Sequence, residues 1–180
     1  MRIIAGKYRR INLNTLDSLD TRPTKDMVKE ALFSSLNDVE DKDFLDLFSG
    51  SGAIGIEAIS RGAKRVVFND LNREAVKIIK SNLNKIKEED EVFNLSYEVC
   101  LNRLKDANFD IIFLDPPYKF ADFDKIFDLI NENNVLKKGG ILVFEIKKDS
   151  VVKEKYNNLS LYKEKKYGIS KLLYFREEND

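Results

Sequence analysis

Asp43-Phe-Leu-Asp-Leu-Phe-Ser-Gly-Ser-Gly-Ala-Ile-Gly-Ile-Glu-Ala-Ile-Ser60 begins as a short apolar run, breaks at Ser49-Gly-Ser-Gly52 and resumes with apolar residues at helical spacing. Strand, glycine turn, helix is the order in which a parallel α/β sheet starts. Gly50, Gly52 and Gly55 form G-x-G-x-x-G in that context. Glycine lets the backbone turn sharply and approach a ligand, and the helix start offers N–H donors without intrahelical partners. Arg65-Val-Val-Phe-Asn-Asp70 reads as the second strand and ends in an acid twenty residues after Gly50. An acid there accepts the hydroxyls of a ribose, so the pair of strands predicts a nucleotide-type ligand.

The alternation continues outward. The spacing predicts helices over about 53–60, 73–86 and 123–132, and strands over 43–48, 65–70, 95–99, 110–115 and 140–146. Two closing runs, 159–162 and 169–175, are joined through Tyr167-Gly168 as an antiparallel hairpin. Upstream, residues 2–13 read as a small β-hairpin around Gly6-Lys7, and Val28, Ala31, Leu32 and Leu36 mark a helix after Pro23-Thr24. The expectation is one α/β domain over 1–180: a mostly parallel doubly wound sheet with a C-terminal antiparallel hairpin, and residues 1–37 as an N-terminal hairpin and helix extension. In such sheets ligands bind beyond the carboxyl ends of the strands.

Composition narrows the chemistry. The 180 residues carry 31 basic and 31 acidic side chains and no histidine. A Ser-His-Asp triad, a histidine base and an imidazole-dependent zinc site are excluded. The single cysteine, Cys100, excludes an internal disulfide or a cysteine metal cluster, so no metal is expected. No apolar stretch reaches membrane-spanning length and no signal-type segment follows Met1, which leads to the expectation of a cytoplasmic protein. Neutrality hides local bias: Arg2, Lys7, Arg9 and Arg10 have no acid within residues 1–16, and residues 147–171 carry eight lysines against three acids. Basic ends suggest a polyanion partner; a solvated lysine face is the plainer reading.

Asp115-Pro116-Pro117-Tyr118 follows the most apolar strand. Two prolines lock φ and donate no N–H. An acid, a stiff carbonyl and an aromatic ring at the ligand edge are what a planar exocyclic amine needs: two acceptors for its hydrogens and a π-face for its base. A proline-stopped strand end with Tyr118 in the core is the competing reading. Asp46, at the mouth of the first strand, suits a cation such as the α-ammonium of S-adenosylmethionine better than a pyrophosphate. A dinucleotide remains possible on glycine spacing alone, though no histidine exists to transfer a proton.

Asp115–Tyr118 together with Asp46–Gly52 resembles the S-adenosylmethionine-dependent amino-methyltransferases of nucleic acids. Met1-Arg-Ile-Ile-Ala-Gly6, Arg22-Pro-Thr-Lys-Asp-Met-Val-Lys-Glu-Ala-Leu-Phe33 and Leu47–Ala63 are similar to the RsmD family of bacterial 16S ribosomal RNA guanine-N2 methyltransferases. The resemblance spans nearly the whole chain. It implies a Rossmann-like methyltransferase fold, S-adenosylmethionine as cofactor, and 16S rRNA within a small-subunit particle as partner of a monomeric enzyme. It implies cofactor contacts from Asp46, Phe48, Gly50, Ser51, Gly52, Asp70, Leu71, Cys100 and Leu101, and catalysis by Asp115, Pro116, Pro117 and Tyr118. Arg2, Lys7, Arg9, Arg10, Arg22 and Thr24 are the candidate RNA contacts. Two features depart from many relatives: Val99 stands where an acid or amide is common, and Asn69 precedes Asp70. A DNA adenine-N6 methyltransferase and a non-catalytic RNA-binding protein are the competing functions.

Overall fold

The structure is a computed structural model in which residues 1–16 and 22–178 are described. One eight-stranded sheet runs in the order β3-β2-β1-β4-β5-β8-β7-β6. Its strands are β1 Asp43–Asp46, β2 Arg65–Asn69, β3 Glu91–Phe93, β4 Phe109–Leu114, β5 Leu136–Lys147, β6 Lys155–Tyr156, β7 Leu159–Tyr167 and β8 Ser170–Glu177. The first five are mutually parallel, and β8 pairs antiparallel with both β5 and β7. The helices are α1 Arg22–Ser35, α2 Ala53–Ser60, α3 Arg73–Ile86, α4 Tyr97–Arg103 and α5 Phe123–Glu132. The expected Rossmann-like architecture with its closing antiparallel hairpin is therefore present.

Successive side chains on a strand face opposite ways. Phe44, Val66, Phe68, Ile111, Phe113 and Val143 accordingly pack under α1, α2 and α3. Leu45, Val67, Ile112, Leu114, Leu142 and Phe144 pack under α4 and α5. Both faces of the parallel strands are covered, which explains why these strands read as unbroken apolar runs. Complete burial of each such side chain contributes roughly 1.5–3 kcal/mol.

Two expectations are corrected. Residues 95–99 are not a strand: β3 lies earlier, at Glu91–Phe93, and Ser96 instead caps α4, its hydroxyl accepting from the Val99 N–H at 3.3 Å. Tyr97 and Val99 favour a strand locally, but Cys100, Leu101 and Leu104 fall at helical spacing and bury against the sheet. The true strand is three residues long and opens on the last residue of the charged run Lys87-Glu-Glu-Asp-Glu91, at the sheet edge.

The N-terminal hairpin also shrinks, to a single bridge between Arg2 and Asn12. Its outer backbone donors are used elsewhere. The N–H groups of Ile4 and Ala5 donate to the two oxygens of Glu57, each at 3.0 Å, and that of Lys7 to the Ser60 carbonyl at 2.8 Å. A Cβ on Gly6 would sit 1.9 Å from that carbonyl, so only glycine permits the contact. Lys29 and Glu57 are almost wholly buried, 3.4 Å apart, while Lys29 Nζ donates to the Arg2 carbonyl at 2.6 Å and Arg61 Nε to Glu57 at 3.0 Å. Burial pulls the Lys29 ammonium below its ordinary range, with Glu57 opposing that fall. The arm is thus seated on α1 and α2 by one carboxylate.

Removing one partner of a buried pair strands the other charge. Glu57→Ala is expected to cost about 3–5 kcal/mol in urea unfolding and to expose residues 2–13 to limited proteolysis. A loss below about 1 kcal/mol with an unchanged cleavage pattern contradicts this role.

Candidate active site

The strand order reverses between β1 and β4, and the carboxyl ends of the parallel strands open there into two adjoining cavities of about 580 and 370 Å³. Lys25, Val28, Asp115, Pro117, Phe120 and Glu145 border both. The cavities are therefore two halves of one cleft.

The larger half is built from the loops after β1 and β2. Asp46, Phe48, Gly50, Ser51, Asp70 and Leu71, six of the residues expected to contact a cofactor, line it. Gly50 has φ 56° and open space where a side chain would project. Its N–H donates to Asp70 Oδ2 at 2.8 Å, and Asp70 Oδ1 accepts from the Asn72 N–H at 2.9 Å. Gly52 lies beneath, at the N-cap of α2, with φ 82°. A Cβ on Gly55 would stand 2.3 Å from the Phe68 ring, so the third glycine of the motif lets α2 press onto β2.

Asp46 is the electrostatic anomaly. It is 1% exposed, its Oδ2 accepts from the Gly55 N–H at 3.1 Å, and its Oδ1 has no hydrogen-bond partner among the described residues. Burial pushes its carboxyl up to about 7, Gly55 opposing the rise and the Asp70 charge adding to it. A buried, half-satisfied carboxylate on a cavity wall suits a cation that brings its own hydrogens.

Asn69, the departure noted beside Asp70, is a clamp. Its Nδ2 donates to the carbonyls of Leu47 and Leu95 at 3.3 and 3.0 Å, and its Oδ1 accepts from the Leu95 N–H at 3.2 Å. It joins the first-strand loop to the segment leading into α4. Leu95, Ser96, Tyr97 and Glu98 are what that segment presents to the cavity. Cys100 and Leu101, expected as cofactor contacts, are fully buried against the sheet and border neither cavity; residues 95–98 border the larger one in their place. Burial raises the Cys100 thiol to about 12, which fits an inert core residue. Val99 is half exposed on the same helix and lines neither cavity.

The smaller half is lined by Asp115, Pro116, Pro117 and Tyr118, with Lys147, Ser150, Gly168, Ile169 and Ser170 opposite. Tyr118 is 61% exposed, which excludes the reading of that ring as core, and Lys147 Nζ lies 4.9 Å from its centroid. Phe48, Tyr97 and Phe120 form an aromatic floor to the larger half, with centroids 5.3–6.1 Å apart, and Phe120 borders the smaller half as well. Arg2, Lys7, Arg9 and Arg10 are exposed on the docked arm. The side chains of Arg22 and Thr24 lie outside the described residues.

Sequence reasoning missed Lys25, Phe120 and Glu145. Glu145 had a signal: it is the lone acid of the apolar run Ile141–Ile146, at the same edge where Asp46 ends β1 and Asp70 and Asp115 directly follow β2 and β4.

Asp46 costs the ligand-free fold stability when ionised. Its folded carboxyl titrates near 7 against 3.8 for the free group, so the destabilisation is full above pH 7 and shrinks as pH falls toward 4. Asp46→Asn is expected to raise the Tm of the ligand-free protein by several degrees at pH 8, at about 2–4 °C per kcal/mol in a chain of this size. The gain should narrow at pH 5. Thermal melts showing an equal or larger gain at pH 5 contradict it.

The family model described as Conserved hypothetical protein 95 matches residues 1–176. Ribosomal RNA small subunit methyltransferase D of Haemophilus influenzae is 40% identical over 174 residues, spanning 94% of this chain and 90% of the relative. The protein of the same name from Escherichia coli is 32% identical, spanning 98% of this chain and 90% of its own length. A solved methyltransferase structure from Escherichia coli superposes with a TM-score of 0.84 at 28% identity, covering 99% of this chain and 98% of that one. On full-length family match, sequence identity and shared fold together, the chain belongs to the RsmD family of S-adenosylmethionine-dependent methyltransferases.

Proposed function

We propose that the protein methylates the exocyclic N2 amine of a guanine in small-subunit ribosomal RNA, the base being flipped into the smaller half of the cleft. The observation that carries this reading is the position of the Asp115–Tyr118 turn: Asp115 and Pro117 border both cavities, while Pro116 and the exposed Tyr118 ring line the smaller one. The names of the curated relatives support the RNA class.

S-adenosylmethionine, when bound, supplies a methyl group already activated on a sulfonium. The residues of the larger cavity fit it. Asp46, which lines this cavity and whose Oδ1 has no hydrogen-bond partner among the described residues, suits the α-ammonium, Asp70 suits the ribose hydroxyls, and residues 95–98 border the space left for adenine. The task left to the chain is positioning, worth several orders of magnitude when reacting atoms are aligned. The guanine N2 lone pair is delocalised into the ring. Hydrogen bonds from the amine to the Asp115 carboxylate and the Pro116 carbonyl orient it and favour a more pyramidal nitrogen aimed at the larger cavity. The proton that N2 loses on methylation passes to Asp115 or to water. Tyr118 stacks on the base at roughly 1–3 kcal/mol, offsetting the few kcal/mol of unstacking.

Arg2, Lys7, Arg9 and Arg10 make the arm the candidate phosphate grip. Lys7 stays exposed but is paired, 3.9 Å from Glu88 and 5.0 Å from the Tyr8 ring centroid. With no net positive charge on the chain, affinity for free RNA should be modest, and the folded particle supplies the rest of the recognition.

The decisive test digests small-subunit rRNA to nucleosides after incubation with the protein and S-adenosylmethionine. N2-methylguanosine is the expected product; methyladenine in DNA instead, or no transfer, overturns the reading. Asp115→Ala should lower kcat at least 100-fold while S-adenosylhomocysteine binding by calorimetry stays within about twofold. Tyr118→Phe should be mild and Tyr118→Ala severe; equal effects argue against stacking. Cofactor affinity should weaken by up to about tenfold per pH unit below 7, as a proton competes for Asp46, and a flat profile contradicts the ammonium site. RNA affinity should fall with salt at a log–log slope of about −0.7 to −0.9 per phosphate contact.

A further inference from the structure

We propose that Glu145 reads the Watson–Crick edge of the target base by accepting the N1–H of guanine, and so decides guanine against bases that carry a ring acceptor at that position. The inference rests on the base-binding role proposed for the smaller cavity and adds a residue to it.

Geometry places Glu145 for this. In the parallel pair β4–β5, Phe113 lies beside Val143 and Leu114 beside Phe144, so the next step sets Asp115 beside Glu145. Phe144 and Ile146 turn into the core under α5, which leaves Val143, Glu145 and Lys147 on the opposite face of β5. Lys147 there reaches the Tyr118 ring, and Glu145 borders both halves of the cleft. Its carboxylate is therefore one strand away from Asp115, behind the space framed by the rigid turn and the ring.

Chemistry selects the base. The guanine edge presents three hydrogens side by side, one on N1 and two on N2. Two adjacent carboxylates and the Pro116 carbonyl supply three acceptors. Adenine and cytosine each present an exocyclic amine beside a ring nitrogen lone pair, which would face the Glu145 carboxylate without a proton between them. Glu145 is half-buried, and a base that sets a lone pair against its carboxylate in place of a donor is rejected. Burial raises the Glu145 carboxyl above its ordinary range and the Lys25 charge opposes that rise. Lys25, on α1, and Asp115 are the charged groups that share the shared wall with it. A carboxylate held in such surroundings gains when a donor on the base satisfies it.

The test uses small-subunit particles in which the guanine that the protein methylates is replaced by 2-aminopurine, which keeps the N2 amine but has a bare acceptor at N1. The unaltered protein should prefer guanine by at least about 50-fold in kcat/KM. In Glu145→Gln the amide can donate to N1 as well as accept from it. The guanine rate should fall at least tenfold, the preference should collapse below about fivefold, and S-adenosylhomocysteine binding should stay within about threefold. An unchanged preference in Glu145→Gln overturns the proposal. So does a preference near one in the unaltered protein, a result that needs no variant to fold. Failure to methylate guanine at all instead removes the underlying function, and the two failures are told apart by the guanine arm alone.

Discussion

Where strand order reverses, the loops leaving β1 and β4 run to opposite faces of the sheet, and no backbone fills the gap between them. α2, which follows β1, packs on the face with α1 and α3; α5, which follows β4, packs on the other. The crevice is a consequence of chain direction and exists whatever side chains border it. Everything chemical in the protein is arranged around that gap: the glycine turn on one side, the proline turn on the other, and an aromatic floor beneath.

The gap collects negative charge. Asp46, Asp70, Asp115 and Glu145 all sit at one edge of an otherwise apolar sheet. Such an arrangement works against folding where the acid loses hydration, as the buried Asp46 and the half-buried Glu145 do. The upward displacement of Asp46 and Glu145 records that opposition. Each acid nevertheless meets a distinct hydrogen-bond demand in the functional reading: an ammonium, a ribose, an exocyclic amine and a ring N–H. A site that binds cations and donors is stabilised by its ligands, so the cleft trades ligand-free stability for recognition.

The N-terminal arm shows a similar division of labour. Its backbone donors abandon a regular hairpin for Glu57 and Ser60, and Lys29 anchors it from α1. Met1 reaches the wall of the larger cavity, alongside Lys25 and Lys29. The exposed arginines are thereby carried on a segment whose seat is continuous with the cleft, so the proposed grip on phosphates and the proposed placement of a base would share one framework.

Local pattern alone determined the helices at 53–60, 73–86 and 123–132, the doubly wound class, and the two turns that frame the site, because glycine and proline constrain the backbone independently of their surroundings. It misread 95–99, where strand-forming residues are outweighed by the packing of Cys100, Leu101 and Leu104 on the sheet. It passed over Glu145, since one acid in an apolar strand means nothing until register sets it beside Asp115. It also missed that Asp46 lacks a partner for one oxygen and that Glu57 holds the arm, two facts created by contacts between residues far apart in the chain. Backbone preference is written residue by residue; desolvation and pairing are properties of neighbours in space, and only the folded sheet assigns them.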